Sequence, residues 1–191
     1  MGYEERRARR FLTPLGEVAS MNGCGNSLHN GFATVPVLRR SVRHSWDERN
    51  PMGGFKNPTD DEIRDLLKRV RTIAVVGLSP QPHRPSHRIA TYLIDRGYLV
   101  FGVRPDGDEI LGRPCYARLA DVPETIDLVN VFRRPRHLPQ HTDEAIAAGV
   151  PALWFQLGVI DEGSALRAQE AGIAVVMNRC IMVEHGRLLD I

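Results

Sequence analysis

From residue 59 onward, polar and apolar positions fall into alternating helical and strand rhythms. Ile63, Leu66, Leu67 and Val70 recur at helical spacing behind Thr59 and Glu62, which have the separation of a capping box. An unbroken run, Thr72–Val76, reads as a buried strand and stops at Gly77. Ser86 then opens an amphipathic helix with Ile89, Leu93 and Ile94 on its apolar face, closed at Arg96-Gly97. A second strand spans 98–103 and is stopped by Pro105. Residues 106–112 form a turn-rich excursion, and 116–122 have room for a short helical turn. The stretch 126–132 is almost wholly apolar, the signature of a parallel strand covered on both faces. A helix over 139–148 ends at Gly149, and 152–155 is the fourth strand. A helix over 162–171 has Asp161 as its cap and Gly172 as its stop; a strand over 173–177 and a short helix over 180–184 complete the pattern.

Strands and helices joined by short loops predict an α/β domain: a Rossmann-like three-layer fold over 57–191, with a five-stranded parallel sheet in the order 3-2-1-4-5. Ligands of such sheets bind at the carboxyl ends of the strands, near the point where strand order reverses. Residues 1–56 show no sustained period and read as a poorly ordered extension ending in the linker-like Asn50–Gly54. A basic arm reaching RNA or an acidic partner, or translation from Met52, are the other readings of that segment.

Composition changes this picture little, and charge changes it in one respect. The net charge of +2 divides unevenly: residues 1–56 hold 9 Lys and Arg against 5 Asp and Glu, whereas 57–191 hold 16 against 18. The basic character belongs to the extension, which argues against nucleic-acid binding by the domain. No apolar run is long enough to span a membrane, and the N-terminus lacks the apolar core of a secretory signal. Cys24, Cys115 and Cys180 show no pairing or metal-ligand spacing, which suits a reducing cytoplasm.

The candidate chemistry lies in the loop after the first strand. Strand, glycine turn and helix N-terminus together form a place for a phosphate. A dinucleotide fingerprint needs two further glycines and a carboxylate ending the second strand. Here Gly77-Leu78-Ser79 supplies one glycine, the loop runs on through Pro80, Pro82 and Pro85, and the second strand ends in Arg104-Pro105. That disfavours NAD and suits a ligand with an extra phosphate, such as NADP or coenzyme A. Arg133, Arg134 and Arg136 add cations at the end of the third strand. No GxSxG, HExxH, GxxxxGK[ST] or CxxC pattern is present, and His83 and His87 merely flank the loop. Cys180 follows the fifth strand on the ligand edge, where a half-buried packing role and a thiol facing a coenzyme thiol are both open.

The string Val76-Gly77-Leu78-Ser79-Pro80 with Arg84-Pro85-Ser86 resembles the opening of the small stand-alone CoA-binding proteins. These are similar to the CoA-binding domain of the succinyl-CoA synthetase α subunit and of NDP-forming acyl-CoA synthetases. The resemblance continues through Ala120-Asp121-Val122-Pro123, residues 127–133 (DLVNVFR), residues 154–158 (WFQLG) and Met177-Asn178-Arg179-Cys180. It implies a Rossmann-like domain that binds coenzyme A or an acyl-CoA. Gly77 and Ser79 would then contact phosphate, with Arg84 and Ser86 in the same loop. Arg104 and Pro105 would lie along the 3′-phosphate side and Val131, Phe132 and Arg133 along the adenine and pantetheine path, with Gln156 and Gly158 as further candidates. The synthetases also carry a phosphohistidine domain and a nucleotide-grasp subunit that this chain does not match, so ligase chemistry does not follow. The expected function is a non-catalytic or regulatory CoA-binding module. The alternatives are an NADP-dependent oxidoreductase or an interaction protein with an empty nucleotide site.

Overall fold

A computed structural model of the chain describes residues 54–107 and 109–189. The expected extension lies almost entirely outside the described residues. Helix α1, Asp60–Arg69, begins on the capping box: the Thr59 hydroxyl accepts from the Glu62 N–H, and the Glu62 carboxylate accepts from the Thr59 N–H at 2.8 Å. Its apolar stripe buries Ile63, Leu66 and Leu67 and delivers the chain into β1, Thr72–Val76, every residue of which is buried. α2 spans Pro85–Asp95 and β2 Leu99–Val103. The helix starts one residue earlier than the sequence predicts, because Pro85 takes the first helical position, where a missing N–H costs nothing.

The excursion after β2 is a hairpin, β3 (Glu109–Ile110) and β4 (Arg113–Tyr116), followed by a 3-10 turn at Leu119–Asp121. Then come β5 (Leu128–Val131), α3 (Leu138–Ala148), β6 (Ala152–Phe155), α4 (Glu162–Glu170), β7 (Ala174–Met177) and α5 (Ile181–Leu189). α5 runs longer than the short terminal helix expected.

The sheet has seven strands in the order β3-β4-β2-β1-β5-β6-β7, which corrects both the expected five-strand count and the expected order. All pairs are parallel except the β3–β4 hairpin. The reason is β4. It pairs with β2 through Gly102 and Cys115, taking the place expected for the 126–132 strand. No side chain would fit at Gly102, since a Cβ there would stand 2.3 Å from the Cys115 sulfur. With that side of β2 occupied, β5 crosses over and pairs with β1 instead. Strand order therefore reverses between β1 and β5.

The three layers are as expected. α1, α2 and α5 pack Ile63, Leu93 and Ile181 on one face of the sheet, with Val75, Trp154 and Val176 beneath them. α3 and α4 pack Leu138 and Ala165 on the other face, over Val129, Leu153 and Val175. Two polar side chains tie strand ends to the frame. The Asp127 carboxylate accepts from the Arg71 and Thr72 N–H groups, each at 2.9 Å, at the amino end of the sheet. The Asn57 amide pairs with both backbone groups of Met177, at 2.9 and 2.7 Å, and so covers part of the free edge of β7. No helix of the described residues is long and apolar enough to cross a membrane.

Candidate functional site

At the reversal point, β1 gives way to Gly77, whose φ is 86°. Its N–H continues the ladder to the Val103 carbonyl at 2.9 Å, so the turn begins without breaking the sheet. A Cβ at this position would stand 3.0 Å from Arg133 Cδ and 3.3 Å from the Phe132 carbonyl oxygen. Glycine is what lets the loops after β1 and β5 lie this close.

The loop that follows holds itself in shape. The Ser79 N–H donates to Ser86 Oγ at 3.1 Å, and Ser79 Oγ accepts from the Gln81 N–H at 3.2 Å. The His87 ring donates from Nδ1 to the Ser79 carbonyl at 3.0 Å. Arg84 bonds back to Gln81 twice, from its N–H to the carbonyl at 3.0 Å and from Nε to Oε1 at 3.2 Å. Three prolines stiffen the same stretch, so little order remains to be imposed by a ligand. The bonding also revises the expected donor set. The N–H groups of Gly77 and Ser79 are both spent inside the protein. The hydroxyls of Ser79 and Ser86 each accept an internal bond, which leaves each O–H proton free to point at an anion.

A cleft of about 720 Å³ opens beside this loop, within the range of small-molecule sites. One wall is Gly77, Ser79 and the first turns of α2, with Arg84, Ser86 and Arg88. The other comes from the carboxyl ends of β5, β6 and β7, with Phe132, Gln156, Leu157, Val159, Cys180 and Met182. Gln156 lines the cleft although it is only 3% exposed. Its Nε2 donates to Oδ1 of the fully buried Asn130 at 2.9 Å, which fixes the amide and leaves its carbonyl oxygen as an acceptor. Cys180 is half-buried, and its carbonyl receives the Glu184 N–H at 3.0 Å as α5 begins.

The end of β5 is electropositive. The pKa of His137 lies below the ordinary histidine value, chiefly because its ring is partly desolvated and then because the Arg136 and Arg133 guanidiniums disfavour a further positive charge. Arg136 Nε donates to His137 Nε2 at 3.1 Å, a bond that needs the neutral ring. Among the described residues, no group of three or more His, Cys, Asp or Glu side chains could hold a metal ion.

Of the residues singled out from the sequence, the structure brings Gly77, Ser79, Arg84, Ser86, Phe132 and Gln156 together on the cleft. The other predicted binding residues do not line it. Val131 is fully buried, packed in the core under α3. Arg133 lays its stem over Gly77 from the neighbouring loop. Arg104 lies at the end of β2, ion-paired to the exposed Asp106 beside Pro105. Sequence reasoning missed Gln81, Arg88, Ile89, Leu157, Val159 and Met182. The rule that ligands meet the carboxyl ends of strands, applied to β6 and β7 as well as to β1, would have found the last three.

Comparison with known proteins places these features in context. The model of the CoA binding domain family matches residues 71–186. An uncharacterized protein of Bacillus subtilis (strain 168), YneT, is 39% identical over 132 residues, covering 69% of this chain and 98% of its own. A solved structure of a hypothetical protein from Pyrococcus horikoshii OT3 superposes with a TM-score of 0.68 at 38% identity, covering 72% of this chain and 99% of that one. An ADP-forming acetate–CoA ligase of Archaeoglobus fulgidus is 26% identical over 121 residues, which span 58% of this chain and 18% of the ligase.

Proposed function

This chain belongs to the CoA binding domain family, and from that premise we propose that the cleft beside the Gly77 turn holds coenzyme A or an acyl-CoA. The observation that carries the reading is convergence at the strand-order reversal. A glycine turn that a Cβ would block, two serine hydroxyls with protons to donate, and the basic residues Arg84 and Arg88 all border one cavity. That donor set fits a pyrophosphate, and the positive end of α2 adds to it. The pantetheine arm then runs past Phe132 and the fixed amide of Gln156 toward Cys180. The adenosine end runs toward Arg133 and Arg104, with the 3′-phosphate competing with Asp106 for the Arg104 guanidinium. On this reading the domain holds its ligand as a non-catalytic or regulatory module.

Thermal unfolding with CoA, acetyl-CoA, NADP and NAD in parallel tests the reading. A ligand at a hundred times its dissociation constant stabilises by about 2.7 kcal/mol, a rise in Tm on the order of 10 °C for a domain of this size. CoA and acetyl-CoA should give that rise and NAD none. A shift with NADP alone transfers the site to the oxidoreductase reading, and no shift with any of the four leaves an interaction protein.

A further inference from the structure

Among the described residues, the large apolar side chains that stand exposed are Leu157 (69%), Val183 (56%), Ile160 (50%) and Met182 (37%). They come from two places distant in the chain, the turn after β6 and the first turn of α5. The Gly158 N–H donates to Asn178 Oδ1 at 2.9 Å and ties these two carboxyl-end loops together. Leu157 and Met182 line the cleft itself, together with Ser79 and Arg84; Ile160 and Val183 are exposed near them in the chain. Single exposed apolar side chains are ordinary on a protein surface, whereas a cluster bordering a cavity marks something it meets.

We propose that this rim is an acyl subsite, and that the preferred ligand is the thioester of an uncharged acyl chain rather than free CoA. The inference rests on the CoA reading above and deepens it. With the phosphates on the serine and arginine wall, the thiol end passes Gln156 and Cys180 and emerges between Leu157 and Met182. An acyl group on that sulfur would lie on the rim. The rim also selects by charge. Residues 156–160 and 180–183 contain no charged side chain, and the flanking Arg179 is already engaged by Asp60 and Glu184. Leu157 and Met182 line the same cleft as Ser79, Arg84 and Gln156, which favours the far end of the ligand held there over a protein partner.

The test is titration calorimetry of the whole chain with CoA and with acetyl-, butanoyl-, hexanoyl-, octanoyl- and succinyl-CoA. Full burial of a methylene is worth about fourfold in affinity; a rim covering one side of the chain gives about twofold per methylene. Affinity should therefore climb along the straight-chain series, and succinyl-CoA should bind more weakly than butanoyl-CoA. In the double variant Leu157→Ser/Met182→Ser the slope with chain length should collapse; the readout is that slope, whatever happens to the CoA baseline. CoA binding with a flat series overturns the acyl subsite and leaves the CoA reading intact. So does a slope that survives the double variant, or succinyl-CoA matching butanoyl-CoA. Failure of every thioester and of CoA itself overturns the CoA reading beneath it.

Discussion

Replacing Gly77 with alanine separates two reasons for a glycine at the head of the cleft. The first is conformational: an L-residue held at the φ of 86° costs about 1–2 kcal/mol, partly offset by a stiffer unfolded chain. The second is steric. The new Cβ would stand 3.3 Å from the Phe132 carbonyl oxygen, which is backbone and cannot swing aside, and 3.0 Å from Arg133 Cδ. Crowding of this kind costs about 1–3 kcal/mol. Gly97 supplies the control. It has the same φ of 86°, and a Cβ there meets nothing within 4 Å. Gly97→Ala should lose about 1 kcal/mol and Gly77→Ala about 2–4 kcal/mol. At about 3–5 °C per kcal/mol for a domain of this size, the Tm losses are near 4 °C and near 10 °C. Calorimetric unfolding with and without CoA measures both effects. The CoA-induced rise should persist in Gly97→Ala and vanish in Gly77→Ala. Equal Tm losses would refute the close-approach argument, and an undiminished CoA shift in Gly77→Ala would refute placing the ligand at this turn.

Three further outcomes are expected. The His137 ring, followed by NMR, should titrate below the ordinary value of about 6.5, so that it charges only at more acid pH, and saturating CoA should raise its midpoint by bringing negative charge nearby; a midpoint at or above 6.5 in the free protein would contradict the electropositive setting. Arg104→Glu should weaken CoA more than dephospho-CoA, because only CoA carries the 3′-phosphate; equal losses would remove Arg104 from that role. Asn178 has a φ of 57° and its Oδ1 receives the Gly158 N–H, so Asn178→Ala should cost about 1–3 kcal/mol in denaturant unfolding. Asn178→Gly should recover only the backbone part, and full recovery would show that the bond between the two loops contributes nothing.

Much of the fold was legible because local physics wrote it locally. The Thr59–Glu62 capping box, the buried run Thr72–Val76 and the Gly149 stop, whose φ is 65°, all formed as read. The hairpin was not legible, and its turn explains why. Leu111 and Gly112 both have positive φ, 57° and 66°, as a tight two-residue hairpin requires. Asn, Asp or Gly is the usual first residue of such a turn, so a leucine there hides the signal. Leu111 is held by packing against the core on the α1, α2 and α5 face of the sheet, a contact that no local pattern records. Once β4 was missed, the strand order had to be wrong, because β4 decides which neighbour β5 can find.

The candidate site divides the same way. The sequence by itself determined that a strand ends at a glycine, that a proline-rich, serine-bearing loop follows, and that a helix then begins. Those are properties of neighbouring residues, and side-chain period and backbone freedom are enough to read them. Only the tertiary structure decided that Gly77 meets the loop after β5, that Gln156 is set by the buried Asn130, and that Arg104 pairs with Asp106. It alone joined Leu157 to Met182 across 25 residues of chain to make the apolar rim. Contacts of that kind depend on strand order and register, which are settled by how whole elements bury their faces against one another and are written in no single stretch of the chain.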